Sequence, residues 1–185
     1  DAFKQFWVNP SYGLPELPGV FTQFTWGDVD FFLLDNRYHR SPSKAPRTKW
    51  KTQFGRKQLN WLIDALTGSR APFKIVAGGG QFLSPFDRWE GSAQFPQEQT
   101  RLVDEIIKRK IPGVVFLSGD RHHTELVRLN PDGFYPLYDF TSSPLTSRGA
   151  SADGEWDSPV RVEGTLVTKQ RNFGLMKFDG PRKNR

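Results

Sequence analysis

The chain has 185 residues, 36% hydrophobic, 14% aromatic and 25% charged, which is the profile of one globular domain and excludes a disordered polymer. No apolar run approaches the ~20 residues that span a bilayer, and the absence of cysteine excludes disulfides, thiolate catalysis and thiolate metal sites. The net charge of +6 lies largely in 37–56 and in Arg182, Lys183 and Arg185; it reads as a solvated basic loop and a frayed end, or as an attraction for phosphate-bearing partners.

In chain order, Asp1 to Trp7 look like the inside of a helix, with no initiator Met and no signal peptide before them. The expectation is a chain that starts within a longer protein. Phe21–Trp26, the turn Gly27-Asp28 and Val29–Leu34 predict a β-hairpin, whose second, nearly all-apolar run suits a strand covered on both faces. A polar, proline-bearing loop follows from Asn36 to about Phe54, longer than ordinary connections and therefore functional or mobile.

Leu59, Leu62, Ile63 and Leu66 repeat at helical spacing up to Gly68, and Phe73–Ala77 predicts a strand running into Gly78-Gly79-Gly80. A second helix carries Leu102, Val103, Ile106 and Ile107, with Glu98 near its start and Lys108, Arg109 and Lys110 near its end, as the helix dipole favours. Val114–Leu117 is the next strand. This alternation argues for βαβ units and a parallel sheet. Thr124–Leu129, the turn Pro131-Asp132-Gly133, Tyr135–Phe140, and a last pair at Val160–Val167 and Phe173–Phe178 look antiparallel. The fold expected is α/β, a mixed sheet with helices outside it.

Ligands of open α/β sheets bind beyond the carboxyl ends of the parallel strands. That rule selects Asp35-Asn36-Arg37, Gly78–Gln81 and Ser118–His123. Asp120 and His122, two apart, project to one side of extended backbone and can share a metal ion or bind two adjacent ones, with Gly119 turning the chain out of the strand. The plain alternative is an Asp steadying a His in a surface turn. His123 then points the other way and packs or supports the site from behind.

Arg121 faces outward or toward a bound anion, and is assigned to substrate binding. Glu125 orients a His or is an exposed strand residue. Arg37 clamps a phosphate, or pairs with Asp35 to tack down the loop. His39 reads as solvent-exposed. The triglycine lacks the Gly-Lys-Ser/Thr of a phosphate loop, and Ser118 lacks a nucleophile elbow.

Phe31-Phe-Leu-Leu-Asp-Asn-Arg37, Gly55-Arg-Lys-Gln-Leu-Asn-Trp61 and Val115-Phe-Leu-Ser-Gly-Asp-Arg-His122 resemble consecutive blocks of the alkaline phosphatase D (PhoD-like) family. Thr141-Ser-Ser-Pro-Leu-Thr146 is similar to a further block, and order and spacing agree over most of the chain. The resemblance implies a metallophosphoesterase: a mixed two-sheet sandwich flanked by helices, of which residues 1–185 are the C-terminal part. It also implies a multinuclear centre of Fe, Ca, Zn or Mn that hydrolyses phosphate mono- or diesters by a metal-activated hydroxide.

By that resemblance Asp120 and His122 match the late metal-binding Asp-x-His, and Asp35 and Arg37 match a catalytic block close to the site. Export to the periplasm or medium is also implied. The family's earlier metal ligands precede Asp1, and Gly91-Ser92-Ala93 departs from its pattern. The 185 residues alone are therefore expected to bind metal weakly and to lack phosphatase activity. A non-catalytic relative and a basic polyanion-binding module are the other readings; nucleic acid enters the main one only as a substrate.

Overall fold

A computed structural model describes residues 2–181; Arg182, Lys183 and Arg185 lie outside them. The chain opens with the short helix α1 (Ala2–Phe6), as its first residues suggest. The hairpin follows as β1 (Thr22–Trp26) and β2 (Val29–Leu33), with Trp26 opposite Val29 across the expected two-residue turn. Next come α2 (Arg56–Gly68), β3 (Phe73–Ala77), α3 (Pro96–Lys108), β4 (Val114–Ser118), β5 (Glu125–Leu129) and β6 (Leu137–Thr141).

The six strands form one mixed sheet in the order β1-β2-β3-β4-β6-β5. The inner four are parallel and the two edges antiparallel. The α/β mixed-sheet reading is correct. Phe32, Val76, Phe116, Asp139 and Val127 lie on one sheet face in successive strands, β2, β3, β4, β6 and β5. Against them pack Leu59, Leu62, Ile63 and Leu66 of α2 with Leu102 and Ile106 of α3. Their 3.6-residue spacing presents one apolar stripe per helix, and burying it drives the docking. The opposite face, with Phe31, Leu33, Val115, Leu117, Tyr138 and Phe140, is half-buried.

The last predicted strand pair is not formed. Residues 160–167 run beside β5 without forming a strand: the backbone makes isolated bridges, Val127 to Arg161 and, just before β5, Thr124 to Val167, while Arg161 and Thr165 reach Glu125 and Leu126 by their side chains. Positive φ at Gly164 (77°) and Lys169 (56°) breaks the extended run that pairing needs. Segment 173–178 instead packs by side chains: Phe178 meets Phe73 at 5.0 Å between ring centroids, and Gly174 lies under the Phe140 ring. Its apolar alternation reflects contact with a sheet face, not membership of a sheet.

The long basic loop is exposed over most of 42–50, as a solvated loop would be, but its end is anchored. Lys51 is buried and donates to the Ser43 carbonyl at 2.8 Å. The Glu98 carboxylate at the start of α3 accepts the Gln53 and Phe54 N–H groups, at 2.6 and 3.0 Å. An acidic residue placed for the helix dipole therefore also anchors the loop, 44 residues away in sequence.

Where β4 begins, Gly113 holds φ at 68°, and a Cβ there would sit 1.9 Å from the Pro72 carbonyl oxygen. Gly133 has a similar φ of 66° with open space around it. Gly113→Ala is expected to cost at least about 2 kcal/mol in denaturant unfolding, and clearly more than Gly133→Ala, because clash adds to φ strain. Equal losses in the two variants would show that the contact with Pro72 relaxes freely.

Candidate active site

The three rim segments do converge. Main-chain hydrogen bonds extend the strand register past its ends: Leu34 N–H to Ala77 O, Gly78 N–H to Leu117 O, and Ser142 N–H to Ser118 O, at 2.9–3.0 Å. Around the end of β4 opens a cleft of about 420 Å³ lined by Trp89, Glu90, Asp120, Arg121, His122, Ala150 and Ser151. Asp120 and His122 thus border one space, but not by the expected route. Asp120 (φ 66°) and His122 (φ 56°) are both left-handed, so the backbone between them coils instead of running extended, and the turn centres on Asp120, with the Arg121 N–H donating to the Gly119 carbonyl at 2.7 Å. Ser143 Oγ accepts the His122 N–H at 2.8 Å, and Ala150 N–H donates to the His122 carbonyl at 2.7 Å. Those bonds hold the coil.

Asp35 serves the backbone. Its Oδ1 accepts the N–H groups of Arg37 and Tyr38 at 2.8 and 2.9 Å, and its Oδ2 accepts that of Val20 at 2.9 Å. Its own N–H donates to Gln58 Oε1 at 2.8 Å, and Gln58 Nε2 returns a bond to its carbonyl. A buried carboxylate saturated in this way positions the loop and is poorly placed to meet a substrate. Arg37 does not pair with it. The Arg37 guanidinium forks onto both oxygens of Glu90, 53 residues on, which raises its pKa and lowers that of Glu90 through the shared hydrogen bonds.

Arg40, which the sequence reading passed over, completes the cluster. Its side chain is only 7% exposed, donates to Ser43 Oγ at 3.0 Å, lies over the Phe95 ring, and approaches Glu90 to 3.7 Å. Burial lowers its pKa, with Glu90 and Asp120 opposing the shift. Only a basic residue in a long loop could have flagged it. His39 is half-buried, with Nε2 2.8 Å from the Pro18 carbonyl, rather than free in solvent.

Arg121 turns inward, against its assignment to substrate. Its guanidinium donates to Gln81 Oε1 at 2.8 Å and to Glu155 Oε1 at 2.7 Å, and its side chain is 6% exposed. The neighbouring coil explains the reversal: left-handed residues on either side swing the intervening side chain to the opposite face. His123 is fully buried behind the cleft, with Nε2 3.3 Å from Glu125 Oε1. Glu125 is buried too, not an exposed strand residue, and accepts Gln81 Nε2 and Arg161 Nε, each at 2.5 Å. Burial opposes its ionisation, but the bonds from His123, Gln81 and Arg161 prevail and hold its carboxyl at about 2.

The network continues through Gln81 and Ser118 to Thr141, and from Ser118 Oγ to Asp139 at 2.8 Å. Ser118 is therefore a buried network member and no nucleophile. Asp139 also accepts the Phe82 and Leu83 N–H groups, yet burial pushes its carboxyl up to about 6.

Two donor sets bear on a metal. His123, Glu125 and Glu155 are buried with ligand atoms within 4.8 Å of one another, the one such trio among the described residues. Their carboxylates are already matched by Arg161 and Arg121, so a cation there would meet a neutralised cluster. Asp120 and His122 fit better. The Asp120 carboxylate is exposed and the His122 imidazole half-buried, both on the cleft, and neither side chain has a hydrogen bond within the described residues. Free oxygen and nitrogen lone pairs facing one space suit a hard or borderline cation.

A family model described as PhoD-like phosphatase matches residues 15–181. Alkaline phosphatase D of Bacillus subtilis (strain 168) is 25% identical over 191 residues, covering 85% of this chain and 32% of that protein. A solved structure, "Structure of PhoD", superposes with a TM-score of 0.65 at 21% identity, covering 82% of this chain and 34% of that one. The chain thus spans about a third of the length of these relatives. The blocks around Asp35, Trp61 and His122 that carried the resemblance all fall inside the matched span, and the chain belongs to the PhoD-like phosphatase family.

Proposed function

We propose that this chain is the C-terminal part of a single PhoD-like domain that hydrolyses phosphate esters with the help of metal bound by Asp120 and His122. The observation that carries this reading is the pair of unengaged donors on one cleft, in a family-matched frame. Family membership supports the phosphoesterase class, acting on mono- or diesters. The ion, of the Fe, Ca, Zn or Mn kind, would polarise phosphoryl oxygens and supply an activated hydroxide when bound.

The chain's own residues do the rest. Asp35 fixes the Arg37 and Tyr38 backbone. Arg37, exposed at the rim, meets a phosphoryl oxygen by exchanging the Glu90 carboxylate for it, and Arg40 reinforces the positive field from below. Arg121 and His123 hold the Asp120–His122 coil against Gln81, Glu155 and Glu125 without touching substrate. The family resemblance also supports a place outside the cytoplasm. No helix among the described residues is long and apolar enough to cross a membrane.

The test is elemental analysis with hydrolysis of p-nitrophenyl phosphate, on the longest natural form of the protein and its His122→Ala variant. Stoichiometric metal is expected in the wild type and a sharp loss in the variant. Activity should fall by at least the ~100-fold that losing an outer-shell partner of a ligand can cost. The 185 residues alone should hold little metal and turn over slowly, since two ligands do not enclose a metal pair. A metal-free, inactive wild type would leave a non-catalytic relative as the better reading.

A further inference from the structure

His122 borders two clefts. On one side lie Asp120 and Glu90, in the space already described. On the other is a cleft of about 690 Å³ lined by His122, Arg148, Gly149, Ala150, Ser151 and Lys169, with two cations and no carboxylate in its wall. His122, Ala150 and Ser151 belong to both, so the spaces are contiguous.

The cationic cleft is held by main-chain bonds. Ala150 N–H donates to the His122 carbonyl at 2.7 Å, and Lys169 N–H donates to the Ala150 carbonyl at 3.0 Å. Three segments distant in sequence are thereby laid side by side. Gly149 permits the approach: a Cβ there would fall 2.6 Å from the Gln170 nitrogen and the Lys169 carbonyl carbon. Lys169 itself holds φ at 56°. Neither Arg148 nor Lys169 has an ion-pair partner among the described residues. By contrast, Arg37 is paired with Glu90, Arg47 with Asp87, Arg121 with Glu155 and Arg161 with Glu125.

We infer that Arg148 and Lys169 form a subsite for a second oxyanion of the substrate, beside the phosphoryl group bound at Asp120 and His122. This rests on the phosphoesterase reading and narrows it: the preferred substrates carry a further negative group next to the scissile phosphate, such as a second phosphate. A guanidinium fork and a mobile ammonium facing a carboxylate-free wall suit an oxyanion.

The test is calorimetric binding at low salt of inorganic phosphate, tripolyphosphate and tricarballylate, to the metal-loaded longest natural form of the protein and to its Arg148→Gln/Lys169→Gln variant. Tripolyphosphate should bind the wild type about tenfold or more tighter than phosphate, as one added charge-assisted contact implies. The double variant should lose that preference and keep its phosphate affinity and thermal midpoint. Gly149→Ala, which forces Lys169 away with both cations present, should weaken the preference as well. Comparable gain with tricarballylate would show that the subsite reads any oxyanion; gain confined to tripolyphosphate would show that it reads phosphate. No tripolyphosphate preference in the wild type, or one that survives in the double variant, overturns the subsite. The phosphoesterase reading fails separately, by absence of p-nitrophenyl phosphate hydrolysis, which these binding measurements do not require.

Discussion

Glu125→Ala should lower unfolding stability by about 3–5 kcal/mol, the range for removing one partner of a buried ion pair. Glu125 is the acceptor on which three buried donors converge: Gln81 Nε2 and Arg161 Nε at 2.5 Å, and His123 Nε2 at 3.3 Å. Truncation leaves the Gln81 amide short of a partner and removes the carboxylate that, among the described residues, pairs with Arg161, whose side chain is 8% exposed. The carbonyls of Trp156 and Glu155 still accept from Arg161, at 2.8 Å, which keeps the loss below that of a fully stranded charge.

Glu125→Gln retains the shape and some of the bonds, so it should cost less than alanine. Urea unfolding of both variants checks this, and a loss below about 1 kcal/mol for Glu125→Ala would mean that water replaces the carboxylate. The variant should also disturb His123 and hence the coil carrying Asp120 and His122, so weaker metal retention is expected beside the lower stability.

The second expectation concerns Asp139, and its sign runs opposite to that of Glu125. Burial holds the Asp139 carboxyl at about 6, above its ordinary 3.8, so the folded protein binds a proton that the unfolded chain releases. Stability from this group is therefore fully present below about pH 4 and declines as pH rises to about 6, by about 3 kcal/mol in all. Glu125, held at about 2 against an ordinary 4.5, contributes stability above about pH 4.5 that is lost as pH falls toward 2, again about 3 kcal/mol.

Asp139→Asn should abolish the decline between pH 4 and 6 and leave the loss below pH 4.5 in place. Stability measured across pH 2–8 for wild type and variant decides it: parallel curves through pH 4–6 would show that Asp139 does not titrate there. Asp139→Ala is the harsher change. It strands the Phe82 and Leu83 N–H groups, donated at 2.6 and 2.9 Å, and should cost about 2–5 kcal/mol at every pH where the protein folds.

Both groups sit in the same buried network, which links the rim loops to β5 and β6. A site on loops is only as well placed as the framework beneath it. Here that framework is polar: Arg121, Gln81, Glu125, Glu155, Ser118, Thr141 and Asp139 are all buried under the Asp120–His122 coil. The arrangement explains why Arg121, flanked by two cleft residues, faces the interior.

What the chain determined by itself is its local periodicity. Alternation and 3.6-residue repeats, read over windows of five to thirteen residues, located the hairpin, α2, α3 and strands β3 to β6. The rule for the carboxyl ends of parallel strands then placed Asp35, Gln81 and Asp120 on one rim. Block order was enough to indicate the family. The tertiary structure decided everything that depends on a partner far away in sequence. Arg37 met Glu90 rather than Asp35, Arg40 was buried against Phe95, and Glu125 was buried among residues 36 to 44 positions distant.

The left-handed turns at Asp120 and His122 belong to the same class. Nothing in Asp-x-His specifies positive φ, and the bonds from Ser143 and Ala150 that stabilise it come from other loops. Segment 173–178 shows the converse: its apolar pattern was legible, but pairing requires a neighbouring edge with free N–H and C=O groups in register, which no residue specifies alone. Side-chain period is a local property of the backbone, whereas burial and charge pairing are set by what the fold brings alongside.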